Sequence, residues 1–329
     1  MRLARPTSPL LEVDALSVAY GDASAVERVT FDVAPGEVVG LVGESGCGKT
    51  TLGLAVLSLL PDSAKITSGT VRLNGEDLVS ATPERLRQIR GGQAAMIFQN
   101  PMRSLHPART IGWQLREAYQ VHHRGTSRGT ADDRAVDVLE DVGIPDARSR
   151  LKDYPHQFSG GMQQRVMIAM ALINDPKLLI ADEPTTALDV TIQAQILELI
   201  RDLARDRGMG VLLVTHSLGI VSSLCARVVV LYAGQVVEHG AVADVFVRPQ
   251  HPYTRGLLRS TPSESVPRLY SIPGSLPGLD MRARDVGCRF RSRCDVAFDA
   301  CSVAPPLFET EHEHASRCWL ADSAASRAS

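Results

Sequence analysis

Apolar and polar positions alternate along Leu11–Tyr20 and again along Val29–Val33, the two-residue period of half-buried strands. The alternation stops at the Pro35-Gly36 turn. Glu37–Val42 is then almost uniformly apolar, which predicts a parallel strand covered on both faces. Thr51–Leu60, closed by Pro61, predicts a helix. Gly69–Gly75 predicts a short strand entering a turn, Pro83–Arg90 a basic helix, and Gln93–Gln99 a strand broken by Asn100-Pro101. Ile111–Val121 and Ala131–Val142 carry helical spacing, joined by the polar link His122–Thr130. Phe158–Arg165 opens a helix over Val166–Asn174, with Ser159 placed to cap it. Strand and helix patterns then alternate: Lys177–Ala181, Thr191–Arg205, Val211–His216. Arg227–Gly234 and Gln235–Gly240 predict a hairpin turning at Ala233-Gly234. The order implies an α/β fold with a helical insertion at about 101–174.

Between the first buried strand and the first helix lies Gly43-Glu44-Ser45-Gly46-Cys47-Gly48-Lys49-Thr50, which fits G-x-x-x-x-G-K-[ST] in its strand–loop–helix setting. Glycines let the backbone curl so that its N–H groups converge on phosphate oxygens, and the helix N-terminus adds partial positive charge. In this motif Lys49 reaches the β- and γ-phosphates and the Thr50 hydroxyl takes Mg²⁺. Only four lysines occur in the chain, Lys49, Lys65, Lys152 and Lys177. A chain that otherwise uses arginine places its compact ammonium in this loop.

Other polar residues gather at predicted strand ends, where α/β folds place ligand-contacting groups. Gln99 ends one strand, Asp182-Glu183 another and His216 a third. Adjacent carboxylates do nothing for a sheet, but beside a phosphate loop they suit a Mg²⁺ ligand and a base for water. Tyr20 ends a strand ahead of the loop and could either stack on an adenine ring or serve as an edge tyrosine. His122 and His123 read as solvated loop residues.

The net charge of −2 gives no footprint for nucleic acid. The longest apolar run, Val166–Ile173, is far shorter than the roughly 20 residues of a membrane helix. The N-terminus lacks the apolar core of a secretory signal, so a soluble, cytosolic chain is expected, reaching a membrane only through partners. Beyond about residue 240 prolines multiply, and four of the six cysteines, Cys288, Cys294, Cys301 and Cys318, crowd together with spacings of 5, 6 and 16 residues. In a cytosolic protein such clustering points to a metal site rather than disulfides. Four thiolates can hold either Zn²⁺ or an iron–sulfur cluster, and Arg289, Arg291, Arg293 and Arg317 around them would offset a cluster's negative charge.

Gly43–Thr50, Gln99, Ser159-Gly160-Gly161-Met162-Gln163, Leu178–Glu183, Asp189 and His216 occur in the order found in the ATP-binding subunits of ABC transporters, which this chain resembles over about residues 10–240. The Ser-Gly-Gly-x-Gln stretch separates that family from other phosphate-loop proteins. Asn100–Pro107, Phe246–Leu258 and Ile272–Gly278 further resemble the oligopeptide/dipeptide (peptide/nickel) importers, although His106 stands where that family more often has Asn. The resemblance implies an ABC ATPase core over 1–240, with an antiparallel β subdomain and a helical subdomain, followed by a Cys-rich extension over 241–329.

It also implies roles. ATP is held by Gly43, Glu44, Ser45, Gly46, Cys47, Gly48, Lys49, Thr50 and Thr51, with Tyr20 stacking on adenine. Thr50 and Gln99 bind Mg²⁺, with Asp182 in the outer shell. Glu183 is the base, and His216 contacts the γ-phosphate and attacking water. Ser159, Gly160, Gly161 and Gln163 close over a partner's ATP in a head-to-tail dimer with a second, different ATPase subunit, and Asp189 lies at its seam. Two transmembrane permease subunits, engaged through Gln99, Asn100–Pro107 and the helical insertion, and indirectly a substrate-binding protein complete the assembly at the cytoplasmic face of the membrane. Among related tails a [4Fe–4S] cluster ranks ahead of Zn²⁺, as a structural clip. The expected function is ATP hydrolysis driving di- or oligopeptide import. Nickel or glutathione uptake is the alternative cargo. A non-transport ABC ATPase would call for tandem cassettes or a long coiled-coil insertion, and a cluster-bearing sensor would use nucleotide only as a regulator.

Overall fold

The computed structural model describes residues 8–99, 104–186, 188–261, 270–282, 286–309 and 313–322. Asn100-Pro101, the expected strand break, and the start of the expected permease-contact stretch lie outside them. Two compact units divide the chain. The first takes 1–34, 38–79 and 213–329; the second takes 35–37 and 80–212.

In chain order, the first unit opens with β1 (Leu11–Tyr20), β2 (Ala23–Val33), β3 (Val38–Val42), the helix Lys49–Val56, β4 (Ala64–Leu73) and β5 (Glu76–Asp77). The second unit carries the helix Pro83–Ile89, β6 (Ala94–Ile97), the helices Ile111–Gln120, Arg128–Asp141 and Gly160–Leu172, β7 (Leu178–Asp182) and the helix Val190–Arg207. The unit boundary falls within β8 (Gly210–Thr215). The chain then returns to the first unit through the helix Leu218–Leu224, β9 (Arg227–Tyr232), β10 (Gln235–Ala241), the helices Val242–Val247, Pro252–Arg259 and Leu279–Arg282, and the short strands β11 (Phe308–Glu309) and β12 (Ala315–Ser316).

Within the first unit, β2, β1, β4 and β5 form an antiparallel sheet in that order, the alternation of Leu11–Tyr20 giving its buried face. β3 pairs in parallel with β9, Val39 opposite Arg227 through Val42 opposite Val230. All five β3 residues are buried, as their unbroken apolar run requires. β9 and β10 form the expected hairpin, and both turn residues, Ala233 (φ 47°) and Gly234 (φ 85°), take the left-handed conformation of a tight β-turn. A Cβ on Gly234 would lie 2.4 Å from the Ala25 carbonyl oxygen. The C-terminal segment extends this sheet: β12 pairs with β10, Glu238 opposite Ser316, and β11 pairs with β12.

The second unit pairs β6 with β7 in parallel, Ala94 opposite Leu178 through Ile97 opposite Ala181. The helices Ile111–Gln120, Arg128–Asp141 and Gly160–Leu172 pack on one another, forming the expected helical insertion. Several boundaries differ from expectation: β2 begins at Ala23 rather than Val29, β4 at Ala64 rather than Gly69, and the helix expected from Ala131 at Arg128. The helix after the loop stops at Val56, not Leu60, because Ser58 turns left-handed (φ 52°) and Leu59 N–H closes back on the Leu54 carbonyl. The helix expected from Val166 begins at Gly160, because the Ser159 hydroxyl accepts from Met162 N–H (3.3 Å) and the glycines fold into its first turn.

Candidate nucleotide site

β3 delivers the chain into the phosphate loop and the helix Lys49–Val56 receives it, with Gly48 left-handed (φ 112°) at the helix N-terminus. A Cβ on Gly43 (φ 154°) would stand 2.1 Å from the Leu231 carbonyl oxygen, and one on Gly48 2.9 Å from that of Ala25. Neither position accepts another residue. The Lys49 side chain is 6% exposed and curls back over the loop, its Nζ donating to the carbonyls of Gly43 (2.7 Å) and Glu44 (3.0 Å). The ammonium is thereby aimed along the loop. Ser45, Gly46 and Thr50 are exposed, and Thr51 is half-buried. Cys47 is fully buried, and burial raises its thiol pKa, which keeps it a packing residue. Tyr20, half-buried at the end of β1, brings its hydroxyl to 3.4 Å from Thr51 Oγ1. His216 sits exposed just beyond β8.

Residues far along the chain meet this loop, and no local sequence signal marks them. Tyr253 holds the backbone at position 44: its Oη accepts from the Glu44 N–H at 2.8 Å. Arg293 grips the Glu44 carboxylate with both terminal nitrogens, at 2.6 and 2.9 Å. Arg282 donates from Nη2 to the Gly46 carbonyl at 2.8 Å. Behind them Tyr232, Tyr253 and Phe290 pack ring against ring, with centroids 4.6–5.4 Å apart.

The second unit carries the other strand-end groups. Asp182 ends β7 and is buried. Glu183 follows in the left-handed region (φ 47°), which is costly for a glutamate, on the order of 1 kcal/mol. Its Oε2 accepts from Gln99 Nε2 (3.0 Å) and Thr186 Oγ1 (3.0 Å), so the structure joins Gln99, Glu183 and Thr186. Ser159 and Gly160 are exposed at the helix start, while a Cβ on Gly161 would press to 2.9 Å from Ile192 Cγ2. Gln163 is buried and donates to the Pro155 and Phe158 carbonyls (2.9 and 3.1 Å), fixing the turn before Ser159. Asp189 is exposed and caps the helix Val190–Arg207, Oδ1 accepting from Ile192 N–H at 3.0 Å.

Two protein families match the chain in sequence. The ABC transporter family matches residues 26–186, and the oligopeptide/dipeptide transporter C-terminal region matches 237–301. A Brucella abortus (strain 2308) chain named as a peptide import ATP-binding protein is 48% identical, over 97% of both chains. The dipeptide transport ATP-binding protein DppD of Escherichia coli is 48% identical, over 90% of this chain and 92% of its own. This chain belongs to the ATP-binding subunits of ABC transporters. Its fold is correspondingly that of a cassette: the ATP-binding cassette MJ0796, in a dimer bound to ADP and Pi, superposes with TM-score 0.63 at 27% identity, covering 70% of this chain and 98% of that one. Like other subunits of this family, it is an ATPase. Among its described residues no helix is long and apolar enough to cross a membrane.

The four tail cysteines, Cys288, Cys294, Cys301 and Cys318, all line one pocket, closed on its other sides by Phe290, Val296 and Trp319 among others, and all are free thiols. Burial raises the thiol pKa of Cys288 and Cys294 and pushes Cys318 up to about 11. Sequence clustering therefore located a genuine convergence. Yet among the described residues no three His, Cys, Asp or Glu side chains are placed to hold one metal ion. A single ion such as Zn²⁺ would need the thiols to converge on one point, whereas here they ring a pocket.

Proposed function

We propose that the chain binds Mg-ATP on the Gly43–Thr50 loop and hydrolyses it to drive import of di- or oligopeptides. The observation that carries this reading is the buried Lys49, whose ammonium is held along a loop that only glycine can form at both Gly43 and Gly48. Lys49 and the loop N–H groups neutralise triphosphate charge, and the exposed Thr50 hydroxyl is available to Mg²⁺. Gln99 is a second Mg²⁺ ligand and Asp182 an outer-shell acceptor. Glu183, oriented by Gln99 and Thr186, acts as base or water-orienting group. His216 serves the γ-phosphate and Tyr20 the adenine ring. Mg²⁺ supplies charge neutralisation and template geometry when bound; the side chains orient and withdraw protons.

The exposed Ser159-Gly160 helix start supports a head-to-tail pairing with a second ATPase subunit, a different chain, with Asp189 at the seam. The dimeric state of the cassette MJ0796 supports pairing of two cassettes. Two permease subunits hold the pair at the cytoplasmic face, with a substrate-binding protein delivering cargo. The names of the relatives favour peptide over nickel or glutathione. A [4Fe–4S] cluster, or Zn²⁺ as the alternative, would be held by Cys288, Cys294, Cys301 and Cys318 as a structural clip, and we assign it no step in hydrolysis. Brown colour in anaerobically purified protein would support the cluster, and stoichiometric zinc the alternative.

The transport reading is tested with the complete transporter in proteoliposomes. Internal Mg-ATP should support uptake of labelled dipeptides, and external dipeptide should stimulate ATP hydrolysis. Stimulation by nickel or glutathione with none by peptide would overturn the cargo.

A further inference from the structure

The loop that must receive a polyanion carries a carboxylate of its own. Glu44, the first residue after Gly43, is half-buried, and its charge lies on the loop whose N–H groups and Lys49 attract phosphate. Left alone, it would oppose nucleotide entry and compete for Lys49. It is not left alone. Arg293, 4% exposed in its side chain, pairs both guanidinium ends with its two oxygens. The pairing raises the arginine's pKa, so the cation persists throughout the working range. Tyr253 fixes the backbone of the same residue, and Arg282 the carbonyl of Gly46.

Arg293 is itself firmly mounted. Its Nε donates to the Pro273 carbonyl at 2.7 Å, and its guanidinium lies 5.7 Å from the Tyr232 ring and 6.0 Å from that of Phe290. It ends a short 3-10 turn, Arg291–Arg293, set between Cys288 and Cys294. Arg289, on the same segment, bonds Glu27 and the Ala233 carbonyl. The C-terminal extension therefore reaches back about 250 residues in sequence to hold the phosphate loop at two of its positions.

We propose that Arg293 is a positioning residue for nucleotide binding: it neutralises Glu44 and, with Tyr253 and Arg282, sets the loop conformation that accepts the triphosphate. The inference rests on the loop being the ATP site. It also assigns the extension a task inside the catalytic unit, in addition to completing the sheet through β11 and β12.

A double-mutant cycle on Mg-ATP affinity tests it, using the full-length chain with a fluorescent ATP analogue and ATP competition. Arg293→Gln should weaken Mg-ATP about tenfold, since it leaves the loop carboxylate uncompensated. Adding Glu44→Gln to Arg293→Gln removes the uncompensated carboxylate, so the double variant should bind at least about threefold more tightly than Arg293→Gln alone, with the Glu44→Gln single variant completing the cycle. In the assembled transporter the Arg293→Gln loss should fall on KM for ATP, with kcat within about twofold, whereas mere loss of folded protein would lower kcat at unchanged KM. A double variant as weak as Arg293→Gln alone, or an Arg293→Gln chain that binds like the native one, would overturn the proposal. If Arg293→Gln does not fold, Arg293→Lys carries the test: a point charge without the fork should weaken binding about threefold, and unchanged affinity would refute it. Native and Lys49→Ala chains run alongside. Native protein that does not bind Mg-ATP would instead refute the loop as the nucleotide site.

Discussion

The phosphate loop and the Ser159 turn are both glycine-rich entries to a helix, yet they differ in what holds them. In the loop, Lys49 is buried, Glu44 is held at both its backbone and its carboxylate, and the Gly46 carbonyl is bonded from Arg282. In the turn, Ser159 and Gly160 are exposed, and the Ser159 hydroxyl caps the helix by accepting from Met162 N–H. The loop is preorganised from behind by its own unit. The turn is held by its cap, by Gln163 on the preceding segment and by packing of Gly161 against Ile192, and leaves Ser159 and Gly160 exposed. A helix N-terminus attracts an anion in either case. On the proposed reading, the first holds this chain's own nucleotide and the second would complete a partner's.

Breaking the loop should therefore abolish binding itself. Lys49→Ala removes the buried ammonium from the phosphate cradle, and Mg-ATP affinity should fall at least about 100-fold. Equilibrium binding with a fluorescent analogue reads this directly. A change under about threefold would mean the ammonium is not aimed at nucleotide.

Glu183→Gln acts after binding. The amide keeps the shape that Gln99 and Thr186 contact, so ATP affinity should stay within about threefold. Steady hydrolysis by the assembled transporter should drop by about 100-fold or more. Activity within twofold of native would remove Glu183 from the base role. Its left-handed backbone also makes Glu183→Gly informative: the glycine should relieve about 1 kcal/mol of strain while destroying turnover, separating stability from function at one position.

The two regions also differ in how far sequence alone revealed them. Gly43, Gly48 and Lys49 were legible because a backbone that must curl around phosphate leaves a local pattern of residue types. Ser159 was legible as a cap for the same reason, and Asp182-Glu183 because carboxylates at the end of an apolar strand have no structural purpose. Tyr253, Arg282 and Arg293 were not legible as loop contacts. They are ordinary residue types brought in from 200 residues or more away, and only the return of the chain alongside β9 and β10 places them there. Helix ends were misread for a similar reason: the left-handed turn at Ser58 competes with apolar spacing that continues to Leu60. The four cysteines were correctly grouped by spacing, but spacing does not say whether thiols meet at a point or ring a pocket.

At the Ser159 turn, stability and function can be separated. Ser159→Ala loses the cap and should cost about 1 kcal/mol in thermal or denaturant unfolding. Ser159→Asp keeps a capping oxygen, and the helix should be as stable as the native one, but it sets a carboxylate where the turn would meet a partner's γ-phosphate. ATPase activity of the assembled transporter should fall at least about tenfold with ATP binding to the isolated chain unchanged. Parallel loss of binding by the isolated chain would show that this turn serves the chain's own nucleotide and would erase the contrast with the loop.

Asp189 gives the smallest and most discriminating effect. Its carboxylate caps the helix Val190–Arg207 and is exposed, so capping alone explains its presence. Asn caps a helix about as well as Asp, and Asp189→Asn should leave unfolding free energy within about 0.5 kcal/mol while Asp189→Ala loses about 1 kcal/mol. If the residue only caps, Asn should also preserve hydrolysis. If the charge matters at a seam with a second subunit, Asp189→Asn should slow ATPase turnover by about threefold to tenfold in the assembled transporter at unchanged stability. The single-atom exchange from oxygen to nitrogen thus isolates what the outward-facing half of the site contributes beyond holding its own helix.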